Sequence, residues 1–246
     1  MKAVILGATK GMGRAMARAM VERGDTVFLL GRDKAELDKS AADLRARAGT
    51  DRVPGVHACD LANPDSFEAA LSAAEAGLDG LDVVVVTAAL FGTQDELEAD
   101  TKRLRDLLTV NFAHTILFCE AARKRLLARG GGTLCVFSSV AGERGRKPVI
   151  LYGATKAGLS AYLEGLDHKF RAAGLVTVCV KPGFVKTGMT AGLKPPPFAG
   201  EPDGVANDVL RAITAKKPVV YTPAMWRLVM LVIRSLPRFV MRKINF

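Results

Sequence analysis

The chain has 246 residues, of which 49% are hydrophobic, and this suits one α/β domain with a large core or two small domains. Its net charge of +10 is uneven, because the 38 residues from Val209 to Phe246 contain eight basic residues and no acid, leaving +2 for the other 208. This distribution argues against a nucleic-acid-binding surface. No apolar run in the sequence reaches the ~18 residues of a transmembrane helix.

The cysteines, Cys59, Cys119, Cys135 and Cys179, are widely spaced in apolar stretches. They are therefore predicted to be buried free thiols in a reducing compartment. The three histidines lack ligand-like spacing, so no metal site is expected. Met1 leads directly into a strand-like run, which leaves no room for a signal peptide, and we expect a cytoplasmic protein.

A buried strand predicted at residues 2–6 leads into the glycine loop Gly7-Ala-Thr-Lys-Gly11-Met-Gly13-Arg, which opens a helix. Glycines let the backbone approach a pyrophosphate, and the N-terminus of the following helix favours an anion. The spacing differs from the commoner Gly-x-Gly-x-x-Gly, and a plain structural turn is the alternative. The predicted cofactor-binding residues of this loop are Gly7, Thr9, Lys10, Gly11, Met12 and Gly13.

The second predicted strand, at residues 26–30, ends at Gly31 and Arg32. In dinucleotide-binding folds an acidic side chain at this strand end binds the ribose 2′-hydroxyl. Here Gly31 takes that place, and the fork of Arg32 suits a 2′-phosphate, with Lys10 as a second positive charge nearby. These residues predict NADPH as the cofactor, with NAD less favoured. A solvated surface arginine is the alternative.

Further strands are predicted at residues 52–58, 81–86, 131–138, 176–181 and 218–221, with helices between them. One long helix, from Thr101 to Arg129, is expected to contain Asn111. The Gly- and Pro-rich stretch 188–204 is interpreted as a mobile loop and short helix over the site, either a lid or an ordinary exposed loop. A helix is predicted at 203–215.

Strands and helices alternate along the chain. This pattern predicts an α/β fold, a doubly wound parallel sheet of about seven strands with helices on both faces, as in a Rossmann fold. Ligands in such sheets bind beyond the carboxyl ends of the strands. The residues at predicted strand ends are Gly7, Arg32, Asp60, Ser139 and Pro182.

Tyr152 and Lys156 lie four residues apart in a predicted helix over residues 151–173, so their side chains share one face. An ammonium beside a phenol favours the phenolate. Bringing a tyrosine from pKa ~10 to neutrality takes about 4 kcal/mol, which one lysine would struggle to supply without a cationic cofactor ring and the Ser139 hydroxyl. We predict an acid–base pair with Ser139 as hydrogen-bond partner, against a chance spacing as the alternative.

Together these residues resemble the short-chain dehydrogenase/reductase family over residues 1 to about 221. The resemblance lies in the glycine loop, Asp60, Asn111, Ser139, the Tyr152-x-x-x-Lys156 signature and the Pro182-Gly183 turn, in that order. It implies that Tyr152 is the proton donor and acceptor, and that Lys156 binds the nicotinamide ribose and lowers the Tyr152 pKa. It further implies that Ser139 binds the substrate oxygen and that Asn111 holds a relay water.

The same resemblance implies further cofactor contacts. Asp60 and Leu61 would flank the adenine, while Val185 and Thr187 would contact the carboxamide end. The remaining cofactor residues implied are Ala88, Pro182 and Gly183. The chain departs from the family pattern at Leu6, where a threonine is usual, and at residues 86–89, where Val-Thr-Ala-Ala replaces Asn-Asn-Ala-Gly. A homo-oligomer is also implied.

The segment 144–147 and the tail from Tyr221 are similar to a narrower group, reductases of a polyprenyl-phosphate-linked keto-pentose. This implies a lipid-linked keto-sugar substrate. On a helical wheel the four arginines of the tail fall within roughly an 80° arc, and Pro237 should break the tail into two short helices. A basic amphipathic segment with a tryptophan suits an anionic membrane. Alternatively, residues 228–233 pack on the core or on a partner subunit.

We therefore predict an NAD(P)-binding Rossmann domain over residues 1–221, which includes the active site, and a basic amphipathic tail over 222–246. The predicted function is NADPH-dependent reduction of a carbonyl to an alcohol with Tyr152 as general acid, in the cytoplasm or peripherally on the inner face of the cell membrane. The alternatives are a soluble reductase of 3-oxoacyl chains on an acidic carrier protein and a non-catalytic NADPH-binding regulatory protein.

Overall fold

The computed structural model describes residues 1–48 and 52–244, and within them seven strands form one parallel sheet. The strands are β1 (Lys2–Leu6), β2 (Thr26–Gly31), β3 (Gly55–Ala58), β4 (Val83–Val86), β5 (Gly132–Phe137), β6 (Leu175–Pro182) and β7 (Val219–Thr222). Their order across the sheet is β3-β2-β1-β4-β5-β6-β7. The order reverses between β1 and β4, and the carboxyl ends at such a reversal open a ligand crevice. The predicted fold class is confirmed.

Helices connect the strands on both faces of the sheet. They are α1 (Gly11–Glu22), α2 (Lys34–Ala48), α3 (Ser66–Leu78), α4 (Gln94–Ala99), α5 (Thr101–Leu108), α6 (Thr115–Ala128), α7 (Ile150–Phe170), α8 (Pro202–Thr214), α9 (Met225–Ser235) and α10 (Arg238–Lys243). Short 3-10 turns lie at Val140–Gly142, Lys147–Val149, Arg171–Ala173 and Gly188–Thr190.

The core consists of one apolar layer on each face of the sheet. Side chains alternate along β1, so that Ala3 and Ile5 face α1 and α8, whereas Val4 and Leu6 face α3, α6 and α7. The central strand β4 consists of four buried valines, as expected where both faces are covered. All four cysteines are buried free thiols, as predicted.

The third strand is shorter than predicted. It begins at Gly55 rather than at residue 52, although Val27 N still donates to the carbonyl of Arg52 at 2.9 Å. Pro54 explains the late start, because proline has no N–H to donate to the sheet.

The prediction of one long helix from about Thr101 to Arg129 is confirmed as far as Ala128, but this helix is not α-helical throughout. Helix α5 ends at Leu108, a π-helical turn occupies Thr109–His114, and α6 starts at Thr115. Thr115 Oγ1 donates to the carbonyl of Val110 at 2.7 Å inside this turn. The wider turn changes the direction in which the buried Asn111 points, and such turns often occur at functional sites.

The tail forms two short helices, α9 and α10, that separate at Pro237 as predicted. Helix α9 buries Trp226, Met230 and Ile233, one face of a 3.6-residue repeat, against Val140. The inner face of α9 therefore packs on the core. Leu228, Leu231 and Val232 on its other side are exposed. Among the described helices, none is long and apolar enough to cross a bilayer.

Candidate active site

The glycine loop is packed too closely for larger residues. Gly7 has φ +94°, and a Cβ there would lie 2.6 Å from Thr87 Oγ1, while a Cβ on Gly13 would lie 2.1 Å from the carbonyl oxygen of Gly7. Gly11 has φ +51° and is the first residue of α1. The loop is thus an open backbone cradle at a helix N-terminus, and this arrangement fits a pyrophosphate.

Thr87 fastens this cradle to the sheet, and sequence reasoning missed its role. Its Oγ1 lies 3.0 Å from the carbonyl oxygen of Leu6 and 3.2 Å from that of Gly7, and it donates to them. The neighbouring Ala88 donates its N–H to the carbonyl of Leu6 at 3.2 Å. The sequence did contain a signal for this role, because the hydroxyl of Thr87 comes directly after the four buried valines of β4. The threonine that departs from the family pattern at this strand end therefore holds the glycine loop in place.

Lys10 is part of the glycine loop, and Arg32 follows the neighbouring strand β2. Both are exposed, and neither has an ion-pair partner among residues 1–48 and 52–244. Lys39, with a smaller contribution from Lys10, lowers the pKa of Glu36, which places Lys10 near the start of α2. Two cations thus stand near the end of β2, and neither forms an ion pair within the described part of the chain.

Asp60 and Leu61 follow β3 at the same edge of the sheet. Asp60 Oδ1 accepts the N–H of Ala62 at 2.9 Å, so this carboxylate fixes the turn. The Leu61 side chain is buried in the core, and its carbonyl oxygen lies 2.6 Å from His114 Nδ1. Their contact with an adenine stays a prediction, and for Leu61 it would involve the backbone rather than the side chain.

The segment after β6 reaches from the strand end to the glycine loop. The methyl group of Thr187 lies 3.4 Å from where a Cβ on Gly11 would be. Val185 is buried and pairs with Gly200 in an isolated parallel bridge, which closes the loop 186–199 at its base. An open cavity of about 460 Å³ lies against this segment, lined by residues between Phe184 and Pro195. The predicted role of the loop as a lid remains a prediction.

Pro182 and Gly183 end β6 beneath the tail. Gly183 donates its N–H to the carbonyl of Thr222 at 3.0 Å. A Cβ on Gly183 would lie 2.1 Å from Trp226 Nε1, so only glycine fits under this indole. The turn that is expected to contact the cofactor is thus in direct contact with the tail.

The predicted acid–base residues meet at the carboxyl end of β5. Ser139 follows the strand, and its Oγ accepts the N–H of Ala141 at 3.1 Å and donates to the carbonyl of Pro182 at 3.5 Å. The Ser139 hydroxyl is close enough to the Tyr152 phenol to lower the pKa of that phenol. Lys156 is buried, with its Nζ 5.7 Å from the centre of the Tyr152 ring and donating to the Phe137 carbonyl at 2.9 Å. The structure therefore brings together the three side chains that the sequence pattern placed in one site.

Burial is the main influence on the pKa values of this pair. Burial raises the pKa of Tyr152 to about 12, and the hydrogen bond from Ser139 only partly opposes this. Burial also lowers the pKa of Lys156 to about 8. The expected lowering of the Tyr152 pKa is therefore not produced by Lys156 alone, because desolvation outweighs an ammonium that is directed at the Phe137 carbonyl.

Asn111 is held by the loop that follows β4. Its Oδ1 accepts the N–H of Leu90 at 2.7 Å, and its Nδ2 donates to the carbonyl of Leu90 at 2.8 Å. This buried two-point contact fixes the π turn against the loop. Because both ends of the amide bind Leu90, its role as a water ligand stays a prediction.

Two glycines allow the Ser139 turn to pack directly on α7. A Cβ on Gly142 would lie 2.6 Å from the backbone nitrogen of Ala157, and one on Gly153 would lie 2.8 Å from the Ala141 carbonyl oxygen. This backbone contact sets the distance between Ser139 and the Tyr152 helix. The glycines were visible in the sequence, but only the packing shows why they are needed.

A sequence model of the short-chain dehydrogenase family matches residues 1–197. The chain belongs to this family. An uncharacterised oxidoreductase of Mycobacterium tuberculosis is 33% identical over 245 residues, which cover 98% of this chain and 95% of the relative. The protein is therefore an NAD(P)-dependent short-chain dehydrogenase/reductase.

Solved structures share the fold of this family member. A short-chain dehydrogenase from Sphingobium yanoikuyae in complex with NADPH superposes with a TM-score of 0.81 at 23% identity, covering 96% of this chain and 97% of the other. A variant of the actinorhodin polyketide ketoreductase with NADPH gives a TM-score of 0.80 at 23% identity, covering 89% and 94%. Within residues 1–48 and 52–244, no group of three His, Cys, Asp or Glu side chains is arranged to hold a metal ion.

We predict that Gly142→Ala destabilises the chain by about 1–3 kcal/mol, because the added methyl group must push the Ser139 turn away from α7. The measurement is the free energy of unfolding in urea. The matched control is Gly145→Ala in the same loop, where a Cβ would meet nothing within 4 Å. Equal free energies of unfolding for the two variants would contradict the proposed close packing.

Proposed function

We propose that this protein reduces a carbonyl to an alcohol with NADPH and that Tyr152 is the general acid. The observation that supports this most strongly is the meeting of Ser139, Tyr152 and Lys156 at the strand end next to the glycine cradle. A proton donor, a hydroxyl partner and a cation are the groups that such a reduction needs. When bound, the cofactor supplies the hydride.

The side chains of this site support a proton donor rather than a resting base. With a pKa of about 12, Tyr152 keeps its proton at neutral pH and can pass it to a substrate oxygen. Ser139 Oγ can donate a hydrogen bond to that oxygen as negative charge develops on it. Lys156, with a pKa of about 8, is mostly charged at pH 7 and favours the phenolate that remains after proton transfer.

Two positive side chains support NADPH over NADH. Arg32 and Lys10 are exposed near the end of β2 and lack an ion-pair partner among the described residues. A guanidinium can bind a 2′-phosphate through two hydrogen bonds. Gly31 provides no carboxylate to bind a 2′-hydroxyl. The two structural neighbours described above were solved with NADPH, which agrees with this proposal.

A membrane-associated reductase of a lipid-linked carbonyl is a second candidate, favoured by the outer side of the tail. Leu228, Leu231, Val232 and Phe239 are each at least 58% exposed. Basic residues accompany them, and the sequence contains no acid after Asp208. Apolar side chains within a basic segment suit an anionic bilayer surface. The resemblance of the tail to reductases of lipid-linked keto-sugars agrees with this substrate class.

The remaining alternatives differ in substrate and assembly. A soluble reductase of 3-oxoacyl chains would use the same basic surface for an acidic carrier protein. Oxidation of NADPH with acetophenone, a 3-oxoacyl thioester and a keto-sugar as substrates compares these classes. Membership of an enzyme family favours catalysis over a purely regulatory NADPH-binding role. A homo-oligomer, common in the family, is part of the proposal.

Tyr152→Phe is predicted to lower kcat by about 10²- to 10⁴-fold, because the phenolic proton is lost, while NADPH binds as before. The measurements are kcat with the best carbonyl substrate and the NADPH dissociation constant. Tyr162→Phe is the matched control, since this tyrosine is also in α7 but donates to Glu120 at 2.7 Å. Turnover near the wild-type rate in Tyr152→Phe would rule out the mechanism.

Arg32→Ala is predicted to raise KM for NADPH about tenfold and to change KM for NADH much less, because a charge-assisted hydrogen bond to the 2′-phosphate is lost. Steady-state kinetics with both cofactors provide the test. Lys34→Ala serves as the control, because Lys34 pairs with Asp38 at 2.7 Å on the outside of α2. An equal effect of Arg32→Ala on both cofactors would exclude recognition of the 2′-phosphate.

The membrane candidate predicts that the full chain floats with phosphatidylglycerol vesicles and not with phosphatidylcholine vesicles. The double variant Leu231→Asp/Phe239→Asp should lose flotation, because it removes exposed apolar side chains and adds negative charge. Its thermal unfolding should match that of the wild type, since both residues are exposed. Unchanged flotation of a folded double variant would exclude this surface.

A further inference from the structure

Glu143 is a buried carboxylate four residues after Ser139 in the chain. Its side chain is 6% exposed, and three donors from other elements bind it. Lys181 Nζ binds Oε1, while the Tyr221 hydroxyl at 2.9 Å and Arg234 Nη1 at 3.0 Å both donate to Oε2. One carboxylate thus connects the Ser139 loop to the ends of β6 and β7 and to the tail helix α9.

The charges around Glu143 favour a fixed anion. Burial alone would raise its pKa, but the hydrogen bonds from Lys181, Arg234 and Tyr221 outweigh burial and lower it. A buried charge is stable only where its partners are correctly placed, so this arrangement is sensitive to the loss of any one of them. Arg234 is the partner that the tail contributes, and it lies at the protein surface with its side chain 52% exposed.

Two further side chains of the same loop bind the backbone of the tail. Arg144 Nη2 donates to the carbonyl of Leu236 at 2.9 Å, and Lys147 Nζ donates to the carbonyl of Arg242 at 2.8 Å. Both acceptors lie at the ends of short helices, where carbonyl groups lack partners within the helix. The loop between Ser139 and Tyr152 is therefore joined to the tail by its own cations as well as by Glu143.

The apolar side of the same contact reaches the reaction site. Trp226 packs with Val140, the residue directly after Ser139, and covers Gly183 at the end of β6. Its Nε1 donates to the carbonyl of Phe198 at 3.2 Å, in the loop that borders the open cavity. The tail is thus in contact with both chain segments on the substrate side of Tyr152.

We propose that Glu143 is a positioning residue that fastens the C-terminal tail over the substrate side of the site and thereby fixes Ser139 against Tyr152. The reaction that it serves is the one given under Proposed function, on which this inference rests. Arg234 is its partner on the tail. Docking of the tail and binding of a carbonyl substrate are then linked, so that each favours the other.

Trp226 is the only tryptophan in the sequence, so its fluorescence reports whether the tail is docked. Arg234→Met should undock the tail, and we expect acrylamide to quench Trp226 about twofold more strongly than in the wild type. Arg227→Met, assayed without lipid, is the matched control, because Arg227 is exposed on the same helix and has no ion-pair partner among the described residues. It should leave the quenching unchanged.

The kinetic test separates positioning from general instability. Arg234→Met should raise KM for the best substrate of the carbonyl panel about fivefold and lower kcat, with the NADPH dissociation constant changed less than about twofold. Arg234→Lys should restore most of both losses, since it keeps the charge. Glu143→Gln should raise KM and lower kcat more strongly than Arg234→Met does. If Glu143→Gln does not fold, Tyr221→Phe is used in its place.

Two results would overturn the proposal. One is Trp226 quenching in Arg234→Met equal to that in Arg227→Met. The other is an undocked tail with unchanged kinetics for the carbonyl substrate. If no carbonyl in the panel is reduced, the proposed function fails, whereas the fluorescence of Trp226 still decides whether Glu143 and Arg234 hold the tail. The two failures are thus distinguishable.

Discussion

The direct packing of the Ser139 turn on helix α7 is the contact on which the candidate site depends. Gly142 and Gly153 let the backbone of the Ser139 turn and the backbone of α7 approach so closely that a methyl group at either glycine would collide with the other segment. This contact leaves little freedom between the hydroxyl of Ser139 and the phenol of Tyr152. Catalytic groups need such fixed geometry, because small displacements cost large factors in rate. Neither glycine touches substrate, yet both set the geometry of the residues that would.

The rest of the molecule supports this contact from opposite sides. On one side the parallel sheet ends in the glycine cradle, fastened by Thr87, and presents the cations of Arg32 and Lys10. On the other side α9 presses Trp226 against the residue after Ser139 and against Gly183. The proposed nucleotide side is thus built from strand ends close to the start of the chain. The proposed substrate side includes residues close to its end.

The sequence predicted the features that local patterns encode. The glycine loop, the buried valine strand and the Tyr152–Lys156 pair each occupy a short stretch with a recognisable spacing, and all three lie where they were expected. The π turn around Asn111 was missed, and the contact that holds this asparagine is with Leu90, 21 residues earlier. The ion pair of Glu143 and Arg234 joins residues 91 positions apart, and no periodic pattern in the sequence predicts it. Long-range polar contacts of this kind depend on packing that one sequence does not display.

The pKa of Tyr152 shows how burial shapes the direction of the chemistry. One lysine was expected to be too little to bring this pKa to neutrality, and desolvation raises the pKa to about 12 while the ammonium binds the Phe137 carbonyl. A proton donor must hold its proton until the substrate oxygen becomes negative, and a buried phenol does so. In the proposed mechanism Lys156, whose Nζ lies 5.7 Å from the centre of the Tyr152 ring, stabilises the phenolate that remains, because little water screens its charge there. These features support the proposal that Tyr152 gives its proton to a carbonyl oxygen.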